Sequence, residues 1–386
     1  RGLDFKVSVD GGDIAAVAKA AGVTLPKIPP VRVSGRLKDP KGGYSIDNLV
    51  ATIGDIDLRG RVGVKLAGVA RPSLDADITT ASTIDLDALL PKQKKPAPAP
   101  KDRVFPDDPL PLDGLKAVDA KVKLAVKRVV QNAIAVDDIK LSLSLSSGRL
   151  DVKSLKAVVN GGTVDGGLVV DGSRAPSALA VNLNVRGSDY GALLQQLKLT
   201  DIATGKVDIT LNVKGQGASV RAIMAGLNGQ ARIVSQGGKI DSGLLNIVSS
   251  DISAALPFIK SKGDKEIRCA VVDFKIKSGQ ANAKTLVFET GGMSMLGTGG
   301  INLKDETLAL RVDPRAKKVS LLKIAMLPIN IGGTLAAPTV LPDMGGAVVG
   351  AVTGAVSTAK DIASGGLSAV GNLVGVGGDK ATVDDT

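Results

Sequence analysis

The sequence predicts a mainly β fold: an elongated, curved antiparallel sheet, either a groove or a rolled meander, with a few short helices. The first observation behind this prediction is that apolar and polar residues alternate over many short stretches, which places the apolar side chains on one face of a sheet. The second is the scarcity of aromatic residues, because the 386 residues include no Trp, two Tyr and five Phe. Aromatic side chains usually supply much of the buried area of a compact core. A thin sheet therefore fits the composition better than several globular cores.

The clearest alternation lies in the stretch from Val118 to Gly167. One face of its predicted strand is apolar and the other is polar. The apolar positions are Ile139, Leu141, Leu143 and Leu145, and the polar positions are Lys140, Ser142 and Ser144. The same period of two recurs at Phe5, Val7 and Val9; at Leu74, Ala76 and Ile78; at Val122, Leu124 and Val126; at Leu179, Val181, Leu183 and Val185; at Val207, Ile209, Leu211 and Val213; at Val272, Phe274 and Ile276; and at Leu308, Leu310 and Val312.

A leucine followed by a glycine eleven positions later marks an internal repeat. Between the two residues lies a further glycine suited to a turn, so each unit is predicted to be a hairpin with a bend or bulge in its second strand. The units are too far apart for a regular solenoid. The leucine and glycine pairs are Leu49 with Gly60, Leu155 with Gly166, and Leu286 with Gly297.

A proline-rich stretch divides the chain. Residues 91–114 carry seven prolines, which remove backbone donors and favour neither a helix nor a central strand. We therefore predict four segments: a β-rich segment over 1–90 that continues from a part of the protein upstream of this chain, a linker or surface loop over 91–114, a β-rich domain over 115–343, and a Gly/Ala/Val-rich tail over 344–386. Within the loop, residues 92–101 are expected to be mobile, and residues 104–115 to be ordered against the sheet.

Short helices are predicted where a capping residue precedes apolar residues at helical spacing. Ser188 is the expected cap of one of them. The five predicted helices begin near Asp13, Asp85, Ser188, Ala218 and Asp241.

The composition argues against an enzyme. The chain has no His, which removes the commonest metal ligand and general base, and Cys269 is its only cysteine. A small buried hydrophobic residue is the expected role of Cys269. Adjacent carboxylates, as in Asp107 with Asp108 and Asp137 with Asp138, point to opposite faces of a strand and are expected to be turn or surface charges. We expect no catalytic residue, no metal and no cofactor.

The net charge of +11 is compatible with anionic lipids, acidic polymers or nucleic acid. The lysines stand singly between apolar residues, which is typical of the solvated face of a half-buried strand. Because no nucleic-acid motif is present, nucleic acid is not predicted as a partner.

Four stretches together resemble a known family. They are residues 112–172, from LDGLKAVDAKVKL to GGLVVDG; residues 213–242, VKGQGASVRAIMAGLNGQARIVSQGGKIDS; residues 269–317, from CAVVDFKIKSG to RVDPRAK; and residues 321–343, LLKIAMLPINIGGTLAAPTVLPD. In this combination the sequence resembles the AsmA-like family of bacterial envelope proteins, specifically its C-terminal region, which is related to bridge-like lipid-transfer proteins. The resemblance implies a periplasmic body that is held at the inner membrane by an N-terminal helix absent from this chain.

The resemblance also implies a groove with an apolar lining, and we predict that it carries phospholipid or another envelope lipid between the inner and outer membranes. The alternation alone favours the sealed core of a sandwich or barrel, and it is the family resemblance that reverses this order in favour of a groove. A second function also stays open, a structural or assembly factor for outer-membrane proteins whose sheet edges pair with strands of other envelope proteins. The predicted lipid-groove residues are Leu141, Leu143, Leu145, Leu179, Val181, Leu183, Val207, Ile209 and Leu211.

Overall fold

The computed structural model describes residues 2–11, 30–89, 103–132, 134–196, 203–240, 266–317 and 327–343. Its 18 strands belong to one open sheet, and the described residues include three short α-helices and one 3₁₀ helix. This confirms the predicted fold class, mainly β with a few short helices. The contacts divide the chain into two compact units, which are described separately.

Unit 1 comprises Arg1–Gln93 and Leu110–Asn184. Each of its strands pairs with the next strand in the chain. The strands are β1 (Asp4–Gly11), β2 (Val31–Lys38), β3 (Gly43–Ile53), β4 (Ile56–Lys65), β5 (Ser73–Asp85), β6 (Asp119–Gln131), β7 (Ile134–Ser146), β8 (Arg149–Val159) and β9 (Gly162–Asp171).

Unit 2 comprises Lys94–Pro109 and Val185–Thr386. Its strands from β11 onward also pair in chain order, and all these pairs are antiparallel. The boundary between the units falls within β10 (Ala178–Asp189). The remaining strands are β11 (Ala203–Gln216), β12 (Asn228–Ile240), β13 (Glu266–Lys277), β14 (Gln280–Thr290), β15 (Met293–Asn302), β16 (Thr307–Ala316), β17 (Ile329–Gly333) and β18 (Pro338–Pro342).

One pair of strands departs from the predicted antiparallel pattern. β5 and β6 are parallel, with Leu74 opposite Ala120 and Ile78 opposite Leu124. Parallel neighbours need a crossover connection, because the chain must return to the same end of the sheet before the second strand begins. The proline-rich stretch lies in this crossover, which explains why a long segment unsuited to regular structure occurs between two strands that pair.

The predicted hairpin repeat is confirmed. Each anchoring leucine lies directly opposite its glycine on the neighbouring strand: Leu49 faces Gly60, Leu155 faces Gly166, and Leu286 faces Gly297. A shift in register immediately precedes each leucine, which is the signature of a β-bulge. The extra residue lies on the first strand of each hairpin, so the prediction of a bend or bulge in the second strand was wrong. The spacing of eleven residues therefore records the length of the regular part of the hairpin, from the bulge around the turn to the paired glycine.

The described helices are short. They are α1 (Leu86–Leu89), the 3₁₀ helix (Asp113–Lys116), α2 (Tyr190–Gln196) and α3 (Val220–Ala225). Ser219 caps α3 by accepting a hydrogen bond from the Ala222 backbone N–H. The cap of α2 was predicted at Ser188, but Asp189 accepts the bond from the Ala192 N–H at 3.1 Å, and Ser188 belongs to β10. The strand continues one residue further than the sequence pattern indicated. The helices predicted near Asp13 and Asp241 and the tail over 344–386 lie outside the described residues.

Residues 103–109, which we call the strap, are held against other parts of unit 2. The backbone N–H groups of Val104 and Phe105 donate to the Glu306 carboxylate at 2.5 and 3.4 Å, and Ser219 Oγ donates to Asp107 Oδ1 at 2.9 Å. Glu306, between β15 and β16, is only 1% exposed. This agrees with the expected order of this part of the proline-rich stretch, while residues 92–101 lie outside the described residues. The four predicted segment boundaries stay predictions.

Candidate functional site

A continuous row of apolar side chains crosses unit 1 from β2 to β9. Residues directly opposite each other on paired strands project from the same face of a sheet. The predicted residue Leu143 lies in this row, opposite Val122 on one side and Val152 on the other. In strand order the row consists of Leu37, Ile46, Val62, Ala76, Val122, Leu143, Val152 and Leu168.

Two neighbouring rows contain the other predicted leucines of β7. Leu141 lies opposite Leu124 and Leu155, and Leu145 lies opposite Ala120 and Leu150. Since alternate residues of a strand share one face, the three leucines lie on the same face of unit 1. We call this the apolar face of unit 1.

The predicted residues of β10 that belong to unit 1 extend the same face. A Cβ placed on Gly166 would lie 3.1 Å from the Cα of Leu183, so these two residues are close neighbours across β9 and β10. Gly166 lies opposite Leu155 on the apolar face. Leu179 and Val181 follow the same alternation as Leu183.

Unit 2 has an apolar face of its own, which contains the other three predicted residues. Ile209 lies opposite Ile233, Leu211 opposite Ala231, and Val207 opposite Ser235. The row through Ile209 continues across the unit through Ile233, Val272, Leu286, Gly297, Val312 and Ile329.

These apolar faces are only partly covered. Eight of the nine predicted groove residues are half-buried, and Leu145 alone is buried, at 9% exposure. Ile233, next to Ile209, is 42% exposed. Inward-facing residues of a well-packed core would be buried far more completely. Within the part of the chain that the structure describes, the faces are therefore accessible, and the role of the nine residues in lipid binding stays a prediction.

The burial of Leu145 is explained by a segment that covers one end of the apolar face. Its row continues through Leu150 to Val170, and two residues further on a Cβ placed on Gly172 would lie 3.1 Å from the Cβ of Leu112. The segment around the 3₁₀ helix thus covers this end of the apolar face of unit 1. No local pattern around Leu145 indicates this cover, because Leu112 comes from a different part of the chain.

Two ion pairs join β6 to β7 in unit 1. Arg128 donates two hydrogen bonds to Asp137, at 2.6 and 3.1 Å, and these bonds hold the pKa of the Asp137 carboxyl below its usual value. Lys127 donates to Asp138 at 2.7 Å, which raises the pKa of the Lys127 ammonium group. Both carboxylates of this adjacent pair thus have cationic partners, which agrees with the expected role as surface charges.

The described residues contain no group of three or more His, Cys, Asp or Glu side chains arranged to hold a metal ion. Cys269 is half-buried within β13. None of the helices described for this chain combines the length and the apolar character needed to span a bilayer.

Comparison with known proteins gives one family. The model of the AsmA family matches residues 14–286 of the chain. The AsmA family protein YhjG of Escherichia coli (strain K12) is 24% identical over 362 residues, which cover 87% of this chain and 52% of that protein. The chain thus spans about half the length of this curated relative. No solved structure matches the chain.

Proposed function

The chain belongs to the AsmA family, and from this premise we propose that it is a non-enzymatic lipid-binding and lipid-transfer segment of the bacterial cell envelope. The observation that carries the proposal is the half-buried state of the apolar rows, which run from strand to strand within each unit.

The physical argument starts from the cost of exposing these rows to water. Contiguous exposed apolar surface is unfavourable and usually marks a binding site for another apolar surface. Acyl chains are suitable partners because each methylene removed from water contributes about 0.8 kcal/mol. Such binding requires no directional contact, so the proposal includes broad selectivity for the lipid headgroup.

Movement of lipid follows from the direction of the rows. Neighbouring strands lie about 4.8 Å apart, so an acyl chain that moves along a row passes from one apolar side chain to an equivalent one on the next strand. In unit 1, Val122, Leu143 and Val152 are three successive positions of this kind. A sequence of similar sites lets a lipid advance without a single large barrier.

The AsmA family is a family of bacterial envelope proteins, and we propose the periplasm as the location of this segment. The proposal includes attachment to the inner membrane. Phospholipid, or another lipid with acyl chains, is the proposed cargo between the inner and outer membranes.

Photo-crosslinking along β7 tests the proposal. A photoreactive residue is introduced at Leu141 or Leu143 and, as a matched control, at Ser142 or Ser144, which lie on the same strand, are also half-buried and project from the opposite face. We expect lipid adducts in cells at the leucine positions, at least about fivefold above the serine positions, since an acyl chain has little affinity for the polar face. Equal labelling on both faces would contradict the proposal.

Native mass spectrometry of the purified chain provides a second measurement. Bound phospholipid in stoichiometric amounts is the expected result. A lipid-free protein that co-purifies with an outer-membrane polypeptide would instead support the assembly-factor function.

A further inference from the structure

The apolar side chains of β11 lie between two covered ends. At one end, a Cβ placed on Gly215 would lie 3.0 Å from the Cγ2 of Ile223 and 3.3 Å from the Cδ1 of Leu227. Gly215 projects from the same face as Val213 and Leu211, since alternate residues of a strand share a face. The α3 region therefore covers this end of the apolar face of unit 2, and both Ile223 and Leu227 are buried.

The other end is covered by the ring of Tyr190, at the start of α2. Gly205 of β11 lies opposite Gly238 of β12. A Cβ placed on Gly205 would lie 2.7 Å from the Tyr190 hydroxyl oxygen, and one placed on Gly238 would lie 2.6 Å from it. Both distances are shorter than real Cβ atoms show to atoms they are not bonded to. The hydroxyl donates a hydrogen bond to the Thr204 carbonyl oxygen at 2.7 Å. Two opposed glycines thus leave the space that the phenol ring occupies.

Between the two ends, Val207, Ile209 and Leu211 form what we call the β11 strip, and all three are half-buried. At a rise of about 3.3 Å per residue, the five residues from Val207 to Leu211 span roughly 15 Å. The hydrocarbon core of a bilayer is about 30 Å thick, so one leaflet of acyl chains is also roughly 15 Å deep. The strip therefore has the length of one acyl chain laid along the strand.

We infer that Tyr190 is the end wall that sets the length of the acyl chain bound along β11. The inference rests on the proposed function, because it names a specificity-determining residue for the same lipid-binding face. Removing the ring uncovers Gly205 and Gly238 and lengthens the strip by two residues, about 7 Å. At about 0.8 kcal/mol for each buried methylene, a chain that is one methylene longer gains about fourfold in affinity when the extra methylene finds space.

The experiment measures the length of the chain that contacts the strip in the full chain. A photoreactive residue at Ile209 is activated after incubation with vesicles that contain phosphatidylethanolamines of several chain lengths in equal amounts. The mass of each adduct gives the length of the captured chain, and the position of the probe confines the readout to unit 2. This measurement is made in the wild-type background and in three variants.

Tyr190→Ala is expected to increase the ratio of longer to shorter captured chains, by up to about 15-fold for chains that differ by two methylenes. Tyr190→Phe keeps the ring and removes only the hydrogen bond to Thr204, so its ratio should equal that of the wild type. Val207→Phe fills the strip next to the wall and should favour shorter chains. This third variant changes a half-buried position without opening a cavity, so it tests the inference even if Tyr190→Ala does not fold.

The outcomes separate the inference from the function on which it rests. If the wild type gives no lipid adduct at Ile209, the proposed function fails for unit 2. If adducts form but neither Tyr190→Ala nor Val207→Phe changes the length distribution, the end wall is refuted while lipid binding stands. If Tyr190→Phe changes the distribution as much as Tyr190→Ala, the ring is not the wall, and the inference is equally overturned.

Discussion

Gly297 shows why the anchoring leucines are paired with glycines. The residue lies opposite Leu286, and a Cβ placed on it would be 2.6 Å from the Cβ of Leu286 and 2.9 Å from its Cδ1. Because the Cβ of Leu286 is fixed to its own backbone, it cannot move away by a rotation of the side chain. The glycine is therefore required by space, and the leucine side chain packs over the backbone of the next strand.

We predict that Gly297→Ala destabilises the β14–β15 hairpin by about 1 to 3 kcal/mol, the usual cost of forcing extra atoms into a packed site. Hydrogen exchange of the β14 and β15 amides measures the effect. Gly63→Ala in β4 is the matched control, since a Cβ at this strand position would have its nearest neighbour at 3.6 Å. The stability of the β3–β4 hairpin, measured on the β3 and β4 amides, should change by no more than about 0.5 kcal/mol in this variant. An equally small loss of protection in both hairpins would show that the pairing of leucine with glycine carries no packing constraint.

Residue patterns predicted which side chains share a face, but not which of them are covered. The alternation that places Leu141 and Leu143 on one face is a local property of an extended strand, so it can be read from the sequence. The cover over Leu145 comes from the region of Leu112, and the ring over Gly205 comes from Tyr190. Both contacts depend on tertiary structure. The isolated glycines within β11 and β12 were the available signal, since a glycine inside a strand often marks a close approach of other atoms.

At the level of elements, the strap shows how a proline-rich segment can be fixed in place. It has little regular structure of its own, and its ordering depends on hydrogen-bonding groups provided by other elements. Glu306 provides one acceptor group, and the cap region of α3 provides a second contact through Ser219 and Asp107. The parallel pairing of β5 and β6 was not predicted, because the alternation within a strand does not reveal the direction of its neighbour.

Glu306→Gln is expected to loosen the strap. The amide keeps one acceptor oxygen but loses the charge, and hydrogen bonds to charged groups are stronger than neutral ones by roughly 1 kcal/mol. Exchange of the Val104 and Phe105 amides should therefore become about fivefold faster, as measured by hydrogen exchange with mass spectrometry. Asp305→Asn makes the same change of charge at the adjacent exposed residue and should leave these two amides unaffected. If both variants behave as the wild type, the carboxylate does not hold the strap.

For the whole molecule, the sequence predicted the fold class and the family, and both predictions are confirmed, the first by the sheet and the second by the match to the family model. The prediction succeeded because the period of two and the bulged hairpin repeat along most of the chain. The proposed function depends on a different property, the accessibility of the apolar faces, which no sequence pattern reports. The net charge of the molecule is a further property, and its effect can be separated by experiment from the effect of the apolar faces.

The net charge of +11 predicts that the chain associates with anionic membranes through screened electrostatic attraction. Charges at a surface attract over about 10 Å at 0.1 M salt but only about 3 Å at 1 M salt. Co-sedimentation with vesicles that contain phosphatidylglycerol should therefore fall by about tenfold over this range of salt. Vesicles of phosphatidylcholine alone, which lack net charge, are the control and should bind weakly at both salt concentrations.

The proposed function predicts that lipid bound on the apolar faces responds differently to the same change of salt concentration. Its binding depends on burial of methylenes, which added salt does not screen. Phospholipid that co-purifies with the chain should therefore remain bound at about 1 M salt, as measured by lipid extraction and mass spectrometry after gel filtration. Loss of this lipid in parallel with vesicle association would mean that headgroup charge holds it, and that the apolar rows of the two units are not its binding site.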